Sequence, residues 1–296
     1  MSGAARVYGV YGVRGVVSGG RREPGVLGRA GRAGAACALA WLAGCAQMPP
    51  RLPFEHDLAW PAADLLLLGE QHDAPDHQRL AARVVAQLAA HQRLAAVAIE
   101  MAEQGRSTVG LPTDASDAAA RAALVWDERG WPWQAYGPIV MSAVRQGVPV
   151  VGANLPRPAL RDAAQDPALD DAVPAAVRER LRTDVRDGHC GLLPDAQLPG
   201  MTRIQIARDR TLADTLRALA RPGRVVLLVA GANHVDASSG VPLHLRAAPP
   251  VDRLYTVRLA AGAKAGDATP GFDETWPTAA VSRPDPCVGL AGQMAR

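Results

Sequence analysis

Glu70 and His72 stand two residues apart at the end of the run LLLLGEQHD, Leu65 to Asp73. VAIEM (Val97 to Met101) ends a second apolar run at Glu100, and VAGANHV (Val229 to Val235) ends a third at Asn233 and His234. Two carboxylates and two imidazoles, Glu70, His72, Glu100 and His234, are a donor set suited to a borderline divalent cation such as zinc, manganese or cobalt. Such a metal would activate a bound water, and Glu70, His72 and His234 could then carry hydrolysis of a peptide or ester. A lone Glu or His at a strand end has a plainer reading as a solvated loop residue or helix cap. His77 and His91, in or beside a surface helix, are read that way.

Convergence therefore depends on the elements that carry these residues. DLLLLGE, LAAVAIEM, VPVVGANLP, RVVLLVAGANHV and RLYTVRLA are short, continuously apolar runs. Between them lie stretches with helical spacing, as in HQRLAARVVAQLAAHQ, where Leu80, Val84 and Leu88 share a face. Runs of this kind alternating with helices imply an α/β fold with a mainly parallel central sheet flanked by helices. Ligands of open parallel sheets bind outside the carboxyl ends of the strands. Glu70, His72, Glu100, Asn154, Asn233 and His234 are therefore expected along one edge. Glu70 and His72 point the same way if the strand stays extended.

The domain is expected over 61–260, with a charged helical insertion at 157–222 and an irregular Gly/Pro/Asp-rich tail at 261–296. Residues 1–44 hold six arginines and one glutamate, net +5, in a chain whose net charge is +3, so the remainder carries −2. The rest of the chain thus has no electrostatic footprint for nucleic acid, and none is expected as a partner. Arg29 and Arg32 precede a short apolar stretch that ends in LAGC, Leu42 to Cys45. This is the pattern of an export signal, 1–44, and the ending resembles a lipobox in which Cys45 is lipidated. The prolines of 45–60 make a stiff tether. An exported protein meets an oxidising compartment, where Cys190 and Cys287 either bond to each other or remain two thiols.

LLLLGEQHDAPDHQ, VAIEM, QAYGPIVMSAVRQGVPVVGANLPR, HCGLLP, QIARDRTLADTL and VAGANHVDASSGVPLHL together resemble the ChaN-like haem-binding lipoproteins. These are grouped with the Tiki proteases, the TraB proteins and the erythromycin esterases. The resemblance spans roughly 60–260. GEQH and GANH are similar to the paired Gly-x-x-His motifs of that group, and Glu100 to its glutamate after the second strand. The resemblance implies haem binding for iron acquisition by an outer-membrane-anchored lipoprotein facing the periplasm. An outer-membrane haem or iron receptor and a second copy of the chain are the candidate protein partners. The Tiki branch implies metal-dependent peptide cleavage instead.

No C-x-x-C-H is present, so covalent haem attachment is not expected. Tyr136, near Trp131 and Trp133, is the first candidate for the iron ligand, and its plainer reading is a core tyrosine at a helix start. His189 is a second candidate. Arg157 and Arg208 are the charges that could meet haem propionates, although Arg208, with Gln205 and Asp209, could equally brace its helix on the sheet.

Overall fold

The computed structural model describes residues 63–247, 251, 253–282 and 287. The export signal, Cys45 and the tether to residue 60 lie outside the described residues.

In chain order the elements are β1 (Leu65–Glu70), α1 (Pro75–Ala90), β2 (Leu94–Glu103), α2 (Asp117–Leu124), α3 (Trp133–Val144), β3 (Val150–Asn154), α4 (Leu160–Gln165), α5 (Ala175–Gly188) and α6 (Leu198–Leu219). β4 (Val225–Gly231), α7 (Ala232–Val235), α8 (Val241–Arg246), β5 (Leu254–Ala261) and β6 (Glu274–Thr278) complete them. The strands form one sheet in the order β3-β2-β4-β1-β5-β6, and every pairing is parallel. The expected α/β class holds.

The reason β1 is apolar from Leu65 to Leu68 is visible in its packing. Leu66 and Leu68 join Leu80 and Val84 of α1 and Ile139 of α3 in one core. Leu65 and Leu67 join Leu212 and Leu216 of α6 and Leu245 of α8 on the other face. A strand buried on both faces has no position left for a polar side chain until it ends.

Two expectations change. The tail at 261–296 is not wholly irregular, because β6 pairs with the end of β5, Val257 opposite Glu274 through Ala261 opposite Thr278. It is short and contains Pro277, which the sheet accepts because β6 is an edge strand. The 157–222 segment also does more than sit beside the sheet. Leu160, Leu181 and Ile204 form a small core of their own, while the later turns of α6 lie on the sheet through Leu212 and Leu216.

β1 and β4 are neighbours, yet the helices that follow them pack on opposite faces, α1 on one and α8 on the other. Chains that part in this way leave a crevice at the carboxyl ends of the two strands. Beyond it, Cys190 and Cys287 form a disulfide with Cα atoms 5.6 Å apart, which ties the turn after α5 to the C-terminal tail. That separation lies in the ordinary range.

Candidate functional site at the carboxyl edge of the sheet

Glu70 is the last residue of β1 and is 2 % exposed. Its position in the strand alternation puts it on the α1/α3 side with Leu66 and Leu68. Three donors meet it there. Tyr136 donates its hydroxyl to Oε1 at 2.7 Å, and Gln78 of α1 donates to Oε2 at 2.6 Å. The third is His72, whose Nδ1 lies 2.9 Å from Oε1. A carboxylate only accepts, so the proton lies on His72 Nδ1. The expected shared direction of Glu70 and His72 is realised as a direct bond.

Glu100 emerges from β2 on the opposite face of the sheet, the side of Ala98 and of α6. Its Oε2 accepts the backbone N–H of Gly231 at 2.7 Å. His234, in the single turn of α7 after β4, sends Nδ1 to Asp209 of α6 at 2.6 Å. Both Nε2 atoms then face Glu100: His72 at 3.8 Å from Oε2 and His234 at 3.6 Å from Oε1. Gly231 is required at this point, because a Cβ there would stand 2.9 Å from His72 Nε2.

The result is a line of charge, Glu70–His72–Glu100–His234–Asp209. Burial disfavours a charged His72, but Glu100, Glu70 and Asp73 outweigh it and raise its pKa to about 9. His234 is moved in the same direction, with burial again opposing and Asp209 and Glu100 prevailing. Burial favours a protonated Glu100, yet His234, His72 and the Gly231 N–H hold its pKa below the ordinary carboxylate value. Burial also raises the Asp209 pKa, so the Asp209–His234 pair shares a proton between two groups of raised pKa, and the arrangement is two carboxylate-oriented imidazoles facing a third carboxylate, a geometry that can hold and pass protons.

Sequence reasoning finds four of these five residues. Asp209 reads in the sequence only as a brace for its helix, and Gln78 carries no signal. Of the two asparagines, Asn233 lines the crevice. Asn154 instead donates to the backbone oxygen of Glu100 at 2.9 Å and holds β2 to β3. His77 overturns its reading as a solvated residue. It is fully buried, accepts the Gln71 N–H at Nδ1 (2.9 Å), and contacts the Thr278 hydroxyl through Nε2 at 2.8 Å. Its ring fixes the turn that carries His72. His91 is exposed, as expected.

Tyr136, the expected iron ligand, lies against the Glu70–His72 pair. It is 3 % exposed, its hydroxyl is bound to Glu70, and burial followed by the Glu70 charge raises its pKa, so it stays a neutral donor. Trp131 packs edge-on to both His72 (4.8 Å) and Tyr136 (5.6 Å), and Trp133 is buried with Nε1 on Asp117. These aromatics form the back wall of the Glu70–His72 pair.

The crevice continues past the charged line to a volume of about 880 Å³. Leu181, Val185 and His189 of α5 and its following turn line one side, and Leu259 to Ala263 at the end of β5 line another. The spacing of Leu181, Val185 and His189 puts them on one helical stripe. His189 Nδ1 lies 2.7 Å from the Val185 carbonyl, which can only accept, so Nδ1 carries hydrogen and the neutral ring has its lone pair on Nε2.

A sequence profile described as haem-binding uptake, Tiki superfamily, ChaN matches residues 59–245. The chain belongs to the ChaN family. Among solved structures, ChaN of Campylobacter jejuni, described for its cofacial haem binding, is 25 % identical, with a TM-score of 0.56 over 68 % of this chain and 83 % of that one. The type III effector HopBA1 is 15 % identical with a TM-score of 0.40, over 74 % of this chain and 88 % of its own. No protein of curated function matches the sequence.

For a ChaN-family chain the crevice has what haem asks for. It is in the size range of ligand clefts, its lining is polar with apolar stretches at Leu181, Val185 and Leu259 to Ala261, and His189 lines it with Nδ1 already bonded. The expected zinc, manganese or cobalt site has no such support. Among the described residues no group of three or more His, Cys, Asp or Glu is arranged to hold a metal ion.

Proposed function

We propose that this ChaN-family protein binds haem in the crevice at the carboxyl edge of its sheet. As a lipoprotein anchored through Cys45 to the outer membrane and facing the periplasm, it serves haem and iron acquisition. Haem is its cargo, passed to or from an outer-membrane receptor, and pairing with a second copy is part of the same reading. The observation that carries it is the continuity of the crevice from the charged line to the Leu181–Val185–His189 stripe, in a chain that matches the family over residues 59–245. His189 is the favoured iron ligand. Its Nδ1 is already committed to the Val185 carbonyl, which fixes the ring and presents Nε2. The Tyr136 hydroxyl is held by Glu70 instead. The alternative of a metal-dependent hydrolase using Glu70, His72 and His234 has less support, since among the described residues no group of three or more His, Cys, Asp or Glu is arranged to hold a metal ion.

The test is an absorbance titration of the purified domain with haem. The wild type should give a shifted Soret band at micromolar haem, and His189→Ala should lose or displace it. Absence of any Soret shift in the wild type would overturn the reading.

A further inference from the structure

Four arginines near the site differ in what they hold. Arg157 is committed, paired with Asp127 and within reach of Glu103. Arg180 is committed to Asp236. Arg208 and Arg258 both line the crevice, and among the described residues neither makes an ion pair within 4.0 Å. Arg208 goes further, because its Nε is buried with no hydrogen-bond partner.

A buried, unsatisfied N–H on a group that is always charged is costly. It is tolerated where a ligand supplies the acceptor, and a guanidinium presents Nε and one terminal N–H as a fork that fits a carboxylate with two parallel bonds. Arg208 precedes Asp209 in α6, so its backbone is fixed by the same helix that orients His234. Arg258 is the cation of the facing wall. It lies opposite Gly69 in the sheet register, with its guanidinium 5.9 Å from the Phe272 ring. Arg208 feels the charges of Glu100 and Asp209 without an ion pair to either, so what it leaves open is a donor, the buried Nε–H, and Arg258 adds a second positive charge to the crevice.

We propose that Arg208 is a carboxylate subsite of the crevice, and that the group it takes is a propionate of haem. This rests on the haem reading. It adds which part of the ligand is recognised and fixes which end of the porphyrin lies toward α6. It also separates the two arginines that the sequence offers as propionate partners, since Arg157 is already paired with Asp127 and Arg208 is not.

The experiment compares haem with haem dimethyl ester, which lacks both carboxylates, by Soret titration of the wild type, Arg208→Gln and Arg208→Lys. A charge-assisted pair of this kind should favour haem over the ester by about tenfold or more in the wild type. Arg208→Gln should bring that preference close to one. Arg208→Lys, which keeps the charge and loses the fork, should fall between them. It also decides the matter should the glutamine variant not fold. An undiminished preference in both variants overturns the subsite. Equal binding of haem and ester by the wild type overturns the subsite and leaves the haem reading standing, whereas binding of neither overturns both.

Discussion

His234 Nε2 stands 3.6 Å from one oxygen of Glu100, and the other oxygen faces His72 Nε2 at 3.8 Å. Both separations are too long for hydrogen bonds, so the three side chains are linked by charge more than by direct bonding. Each imidazole is oriented from behind, His72 by Glu70 and His234 by Asp209. Glu70 and Glu100 come from opposite faces of the sheet, and only the turns at the ends of β1 and β4 let their histidines approach the same carboxylate. The centre is therefore built by the topology, and Glu100 is the group on which it depends.

Replacing Glu100 by Gln keeps an acceptor for the Gly231 N–H but leaves two imidazoles without the charge between them. Removing one member of a buried charge cluster is expected to cost about 3 kcal/mol of unfolding free energy. Urea denaturation at neutral pH checks this, and a loss below about 1 kcal/mol would contradict the charge-linked centre.

The His72 pKa, raised from 6.5 to about 9, has a definite sign in stability. The folded protein binds this proton more tightly than the unfolded chain does. The stabilisation is thus fully present below pH 6.5 and is lost as the pH rises through about 9. Between those values the wild type should lose thermal stability relative to its own value at pH 6, and His72→Gln should lose less. NMR titration of the His72 ring should place its midpoint well above 6.5.

Much of this is legible in the sequence, for physical reasons that also explain what is not. Glu70 and His72 follow a run buried on both faces, so their polarity marks the strand end and their spacing sets their shared direction. His234 repeats that signal after β4. Asp209 gives no such signal, since its bond to His234 depends on how α6 is rotated against the sheet. His77 looks like a surface residue until Thr278, 201 positions later, covers it with an edge strand of five residues. Tyr136 stands out by type and neighbourhood. Its direction, toward Glu70 rather than toward open space, comes from the packing of α3 on α1 and β1.

The Cys190–Cys287 bond closes a loop of 97 residues, from the turn beside His189 to the C-terminal tail. Constraining an unfolded chain over that length is worth roughly 2–4 kcal/mol in practice. Reduction, or Cys287→Ser, should lower the urea midpoint accordingly. Peptide mapping without reductant should recover the two cysteines joined, and recovery of both as free thiols from oxidised protein would refute the pairing.

Tyr136→Phe separates structure from ligation. Its hydroxyl donates to Glu70 at 2.7 Å and lies 3.4 Å from His72 Nδ1. Removing it deprives a buried carboxylate of one of its three donors, at an expected cost of about 1–2 kcal/mol in unfolding free energy. The other two donors, Gln78 and His72, remain, so the centre should stay assembled. Haem binding should then be nearly unchanged, with the same Soret position as the wild type, because the phenol faces the Glu70–His72 pair and not the stripe that ends at His189. Soret titration beside urea denaturation reads both effects on one sample. A variant of wild-type stability whose Soret band is lost or shifted would reverse the assignment and make Tyr136 the iron ligand.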